Sequence, residues 1–185
     1  MRRQRAENSK WRRGLAELCG YLPRGMYGLE IGSLAGESAD MFVKLAGFDA
    51  LFCVDPWEKT STRDDTGESG FDAVAARHPE IIKCKGYLQD FYRSMPPLDF
   101  IYIDAKHQHV ETFELIFQSL LLAKEPCLLA GHDYNERKHP GLVRAVNTIF
   151  AGHLQDVIRF VDWSFLVGIR RHRGGIETYK PRLRE

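Results

Sequence analysis

Short apolar runs, separated by stretches with the spacing of amphipathic helices, constrain this chain more than any other feature. Met26 to Ile31, Leu51 to Asp55, Glu80 to Cys84, Leu98 to Asp104 and Cys127 to Ala130 are short and apolar, as strands buried on both faces are. Helical spacing lies between them at residues 36–46, 70–77 and 87–94, and recurs from Val110 to Ala123 and from about Gly141 to Phe150. Strands alternating with helices predict a doubly wound, mostly parallel α/β sheet. The tail changes character: Val157 to Phe160 and Ser164 to Ile169 have no helix between them and read as an antiparallel hairpin joined at Val161-Asp162-Trp163. The expected sheet is therefore seven-stranded. A leading helix within residues 5–20 places Trp11, Leu15, Leu18 and Cys19 on one face.

At 185 residues the chain suits one domain with a full three-layer core. Apolar content of 44% with 28% charged residues is globular, and no apolar run reaches the length of a membrane span. The first residues lack the apolar stretch of a leader peptide, so a cytoplasmic protein is the expectation. Cys19, Cys53, Cys84 and Cys127 form no C-x-x-C pair and read as buried free thiols. The net charge of +1 conceals basic ends, with six Lys/Arg against one Glu in residues 1–13 and six against two acids in 170–185. Either these grip an anionic partner or they are solvated termini; the acidic middle argues against a broad nucleic-acid surface. The chain thus divides into a basic segment and helix (1–25), a main domain (26–170) and a basic tail (171–185).

In a doubly wound sheet, ligands bind outside the carboxyl ends of the strands, where strand order reverses. That selects Glu30 to Gly36, Asp55 to Trp57, Gly86-Tyr87, Asp104 to His107 and Gly131 to Tyr134. The turn Gly32-Ser33-Leu34-Ala35-Gly36 opens a helix, and glycine lets backbone N–H groups approach a ligand closely. Its glycines are four apart, which disfavours the dinucleotide fingerprint G-x-G-x-x-G, and no phosphate-loop motif is present. Residues 58–70 are polar and long for a connection, and are expected to form a lid.

These residues together resemble a class I S-adenosylmethionine-dependent methyltransferase. The chain is most similar to the small single-domain group whose fourth strand ends in I-D-A-x-H, here Ile103 to His107, and whose fifth ends in G-H-D-Y, here Gly131 to Tyr134. The resemblance covers roughly residues 26–170 and implies a Rossmann-like methyltransferase fold. It implies S-adenosylmethionine as cofactor, with Gly32, Ser33 and Gly36 passing its methionine part and Glu30 supporting the loop or the amino group. Asp55, 25 positions after Glu30, is the expected ribose ligand, because a carboxylate accepts from two adjacent hydroxyls. Trp57 and Tyr87 offer faces to the adenine or belong to the core, and Gly86 and Asp104 complete the cofactor side. Some relatives bind a divalent cation through the acid ending strand four and a carboxylate pair ending strand five. His132-Asp133 stands in place of that pair, leaving Asp104 and Asp133 as the ligands for Mg²⁺.

Methyl transfer is an in-line displacement, so the protein aligns donor and acceptor and removes a proton if the acceptor is a hydroxyl. His107 is the expected base, or else braces the following helix. Asp133 holds metal, or orients His107 or the acceptor; His109 is expected to face solvent. The resulting expectation is O-methylation of a small hydroxylated acceptor, such as a sugar or natural-product intermediate. The rivals are a nucleic-acid methyltransferase gripping phosphate with the basic ends, and a cofactor-binding protein without turnover. A nicotinamide oxidoreductase is disfavoured by the missing G-x-G. A second copy of the chain could close the site, making a homo-oligomer.

Overall fold

A computed structural model describes residues 10–59, 67–172 and 175–184. The leading helix α1 (Lys10–Cys19) is followed by β1 (Met26–Ile31), α2 (Glu37–Leu45), β2 (Phe48–Asp55), α3 (Glu68–Ala75) and β3 (Ile81–Lys85). Then come β4 (Leu98–Ile103), α4 (His109–Leu121), β5 (Ala123–Gly131), α5 (Pro140–Ile149), β6 (Ile158–Arg159), β7 (Phe165–His172) and β8 (Gly175–Tyr179). The sheet runs β3-β2-β1-β4-β5-β7-β6, parallel through β5 and antiparallel beyond it. Strand order reverses between β1 and β4, so the crevice lies past Ile31 and Ile103.

Alternation along the strands splits the core into two layers. Leu29, Ile31, Ile101, Ile103 and Leu129 pack with Ile116, Leu120, Leu142 and Val146 of α4 and α5 on one face. Phe100, Tyr102, Leu51 and Cys53 pack with Leu15, Leu18, Phe42 and Phe71 of α1, α2 and α3 on the other. Phe42 centres that second layer, edge-on to Phe100 at 5.3 Å and to Tyr102 at 4.9 Å; burying such a ring contributes about 3 kcal/mol. All four cysteines are buried and free, and burial pushes the Cys19 and Cys127 thiols up to about 12.

Three elements differ from the sequence reading. The sheet has an eighth strand: Gly175–Tyr179, set apart by charge as a tail, pairs with the outer half of β7, where the Tyr179 ring occupies the space beside Gly168. A Cβ on Gly168 would stand 2.3 Å from that ring, so only glycine admits it. Residues 87–94 make only a single 3₁₀ turn, Leu88–Asp90, opened by the Asp90 carboxylate accepting from the Tyr87 N–H at 2.8 Å. β5 starts four residues earlier than expected, running through a cis Glu125–Pro126 bond. The expected 58–70 lid falls largely outside the described residues.

Candidate active site

The glycine loop leaves β1 at Gly32, whose φ of +94° and whose place against β4 exclude a side chain: a Cβ would stand 2.1 Å from the Asp104 carbonyl oxygen. The Asp55 carboxylate, at the end of β2, ties the loop down by accepting from Leu34 N–H at 3.0 Å and from Trp57 N–H at 2.7 Å. Each oxygen takes one of these bonds and keeps capacity for another donor. Trp57 is 3% exposed, 4.7 Å from Phe71 and under the Lys83 ammonium at 5.0 Å, and its Nε1 donates to Leu34 O. Its ring therefore offers no open face for adenine; it clamps the end of β2 to the loop. Tyr87 is different: it is 45% exposed at the end of β3, with its hydroxyl 3.0 Å from Glu58.

Beneath the loop, Glu30 is fully buried. Burial pushes its carboxyl up to about 7, against the hydroxyls of Ser38 and Ser33, while Asp104 adds to the rise. Ser38 donates to Oε1, and Oε2 is buried without a hydrogen-bond partner. A buried carboxyl that favours its neutral form thus sits under the glycine loop.

Across the switch point, the ends of β4 and β5 bring five titratable side chains together. His107 Nε2 lies 2.9 Å from Asp133 Oδ2, and His139 Nε2 lies 3.7 Å from Oδ1. His132 Nδ1 lies 3.3 Å from the same Oδ1 and 3.8 Å from Asp104 Oδ1. Burial would push the Asp133 carboxyl up, but the hydrogen bond from His132 and the charges of the histidines outweigh it and hold it down at about 2. For His132, burial pulls the imidazole down, and the carboxylates of Asp133 and Asp104 more than reverse that, leaving it raised.

The sequence-predicted residues Asp104, His107 and Asp133 are thus assembled at one place. His109 is not out in solvent: it is half-buried, 6.3 Å from Phe113, with Nε2 shut away and unbonded. His139 was missed; the signal for it is its place as N-cap of α5 directly before Pro140, which fixes where its side chain starts. Beyond Asp133, a cleft of about 570 Å³ opens between Tyr134, Arg137, Asn147, Arg159 and Trp163.

Comparison with known proteins identifies the family and the fold. The profile of a methyltransferase domain family matches residues 29–134, from within β1 to the tyrosine after Asp133. No curated protein sequence matches the chain. Among solved structures, the chain is similar to the O-methyltransferase from Bacillus cereus in complex with SAH, at 18% identity and a TM-score of 0.59 over 90% of this chain and 84% of that one. It is also similar to precorrin-6y C5,15-methyltransferase from Geobacter metallireducens, at 10% identity and a TM-score of 0.59 over 96% and 87%. At such identities the likeness speaks for the fold alone. The family match spans more than half of the chain, so the chain belongs to the methyltransferase domain family, as a class I S-adenosylmethionine-dependent enzyme.

Proposed function

We propose that the protein methylates a hydroxyl of a small acceptor, with His107 taking the hydroxyl proton. The observation that carries this reading is the 2.9 Å contact between His107 Nε2 and Asp133 Oδ2, where β4 and β5 end beside the crevice. With Nε2–H donated to Asp133, the imidazole lone pair is at Nδ1, free to accept a proton. The carboxylate then opposes the charge that the ring gains. Asp133 is suited to this because its histidine neighbours keep it ionised. Asp104, 3.8 Å from His132, adds negative charge on the cofactor side of the cluster.

The cofactor-side groups suit S-adenosylmethionine by their donors and acceptors. Asp55 has acceptor capacity left for the ribose diol, the exposed Tyr87 ring a face for adenine, and the buried Glu30 carboxyl braces the loop beneath the methionine end. Gly32, Ser33, Gly36 and Gly86 shape the backbone that such a molecule would follow. Bound there, the cofactor supplies a methyl group activated by its sulfonium. Alignment and removal of the acceptor proton are left to the protein. The cleft beyond Tyr134, with Arg137 and Arg159 on its wall, is the acceptor side. Mg²⁺ does not fit: Asp104 and Asp133 stand among imidazoles where that ion wants oxygens, and no step here uses it.

Calorimetry with S-adenosylmethionine and S-adenosylhomocysteine, followed by methyl transfer to a panel of hydroxylated acceptors, tests the reading. His107→Ala should lower kcat by about 10²- to 10⁴-fold with cofactor affinity unchanged. Full kcat in that variant, or no binding of either nucleoside at about 1 mM, the top of the usual KM range, would overturn it.

A further inference from the structure

The mismatch with Mg²⁺ has a positive counterpart. His107, Asp133 and His139 come from three different segments, after β4, after β5 and at the start of α5. Their ligand atoms all lie within 4.8 Å of one another. The two imidazole rings lie nearly face to face, centroids 4.3 Å apart and planes at 31°, so that both Nε2 atoms address the same carboxylate. Metal–nitrogen bonds of about 2.0–2.1 Å put neighbouring donors of a tetrahedral site about 3.4 Å apart. His107 Nε2 lies 2.9 Å from Asp133 Oδ2 and His139 Nε2 lies 3.7 Å from Oδ1, so each imidazole faces its own carboxylate oxygen at a spacing near that value. His132 holds the carboxylate from outside at 3.3 Å, the kind of second contact that orients a ligating oxygen. Side-chain exposures of 36%, 25% and 26% leave the group reachable from solvent.

We propose that His107, Asp133 and His139 form a binding site for one first-row transition-metal dication, such as Co²⁺, Ni²⁺ or Zn²⁺. Two imidazoles and one carboxylate are a donor set for these borderline ions and leave further coordination positions open; Mg²⁺ demands near-octahedral oxygen ligation. Ligation through His107 Nε2 places the ring proton on Nδ1. The ion and proton acceptance by His107 are therefore mutually exclusive, and loading the site switches off the base. That consequence rests on the proposed methyl transfer; the binding itself does not.

The test is a Co²⁺ titration of the metal-stripped full chain, read by d–d absorption, with no cofactor or acceptor present. One equivalent should bind and be displaced by Zn²⁺ but not by excess Mg²⁺. His139→Ala and His139→Gln should each weaken binding by more than about 100-fold, since loss even of an outer-shell partner costs 10- to 100-fold. Asp104→Asn should bind Co²⁺ like the parent. Unchanged Co²⁺ affinity in either His139 variant, loss of binding in Asp104→Asn, or displacement by Mg²⁺ would overturn the proposal. His139 lies at the surface start of α5, and the glutamine keeps the side chain's length, so the affinity of a single folded variant is decisive.

Discussion

Glu30→Gln tests whether the floor of the glycine loop is held by a carboxyl that stays protonated in the core. An unfolded glutamic acid ionises near 4.5, whereas burial pushes Glu30 up to about 7 in the folded chain. Across that window the native state keeps a proton that the unfolded state has released, so stability falls as pH rises from 4.5 to about 7 and is level on either side. An interval of roughly 2.5 pH units at 1.36 kcal/mol each amounts to about 3 kcal/mol. Glutamine cannot ionise, and its carbonyl still accepts from Ser38. The variant should match the parent near pH 4 and exceed its stability by about 3 kcal/mol near pH 8, with the gain appearing between. Other groups titrate too, Asp133 and His132 among them, but alike in both proteins. Asp133, held down at about 2, contributes stability present above 3.8 and lost as pH falls toward 2. His132, raised above 6.5, contributes stability present below 6.5 and lost as pH climbs through its folded value. Both cancel in the difference between variant and parent. Urea unfolding followed by circular dichroism from about pH 4 to about pH 8 gives that difference directly. A difference that stays constant with pH, or a glutamine variant less stable than the parent near pH 8, would refute the reasoning.

Asp55→Asn should weaken S-adenosylhomocysteine binding by about 10- to 100-fold, the worth of a hydrogen bond to a charged acceptor; calorimetry giving an unchanged Kd would remove Asp55 from the ribose role. Gly32→Ala should cost at least about 3 kcal/mol, strain at φ +94° adding to a Cβ placed 2.1 Å from the Asp104 carbonyl oxygen. A thermal midpoint equal to that of the parent would show that the β1 and β4 ends part easily.

How far the sequence could be read depended on what burial does to composition. β1 and β4 are buried on both faces, so their runs are nearly all apolar and their ends were legible to within a residue. β8 carries no such signature: Gly175, Ile176 and Glu177 are exposed, and what holds the strand is its ladder to β7 and a tyrosine over Gly168, a match between distant residues. Proline hid the start of β5 for a related reason, since it reads as a boundary and here lies within the strand. In the site, His107 and Asp133 were legible because each follows a strand end by a fixed count. His139 depends on how the chain turns after Asp133. That turn is made by Asn135 N–H donating to Asp133 O at 2.6 Å and His139 N–H to Asn135 O at 2.7 Å, none of which shows in residue spacing.

Backbone strain adds an independent line toward the same rim. Among the described residues, four that are not glycine have positive φ: Leu34, Trp57, Asp133 and Trp163. Each such residue costs of order 1–3 kcal/mol and persists only where its surroundings over-determine it. None lies in the body of a helix or strand. Leu34 is in the glycine loop, Trp57 follows β2 and Asp133 follows β5; Trp163 precedes β7, whose Phe165 lies opposite Gly131 at that same end. They are held in pairs. Asp55 accepts from both Leu34 and Trp57, and Tyr134 N–H, directly after Asp133, donates to Trp163 O at 2.8 Å. The first pair joins the glycine loop to the end of β2 and the second joins the end of β5 to the turn before β7, so one hydrogen-bonding group anchors each half of the crevice. The clamp that Asp55 makes and the ribose contact proposed for it separate experimentally. Relaxing the clamp should lower stability without any ligand present, while losing the ribose bond appears only as weakened nucleoside binding.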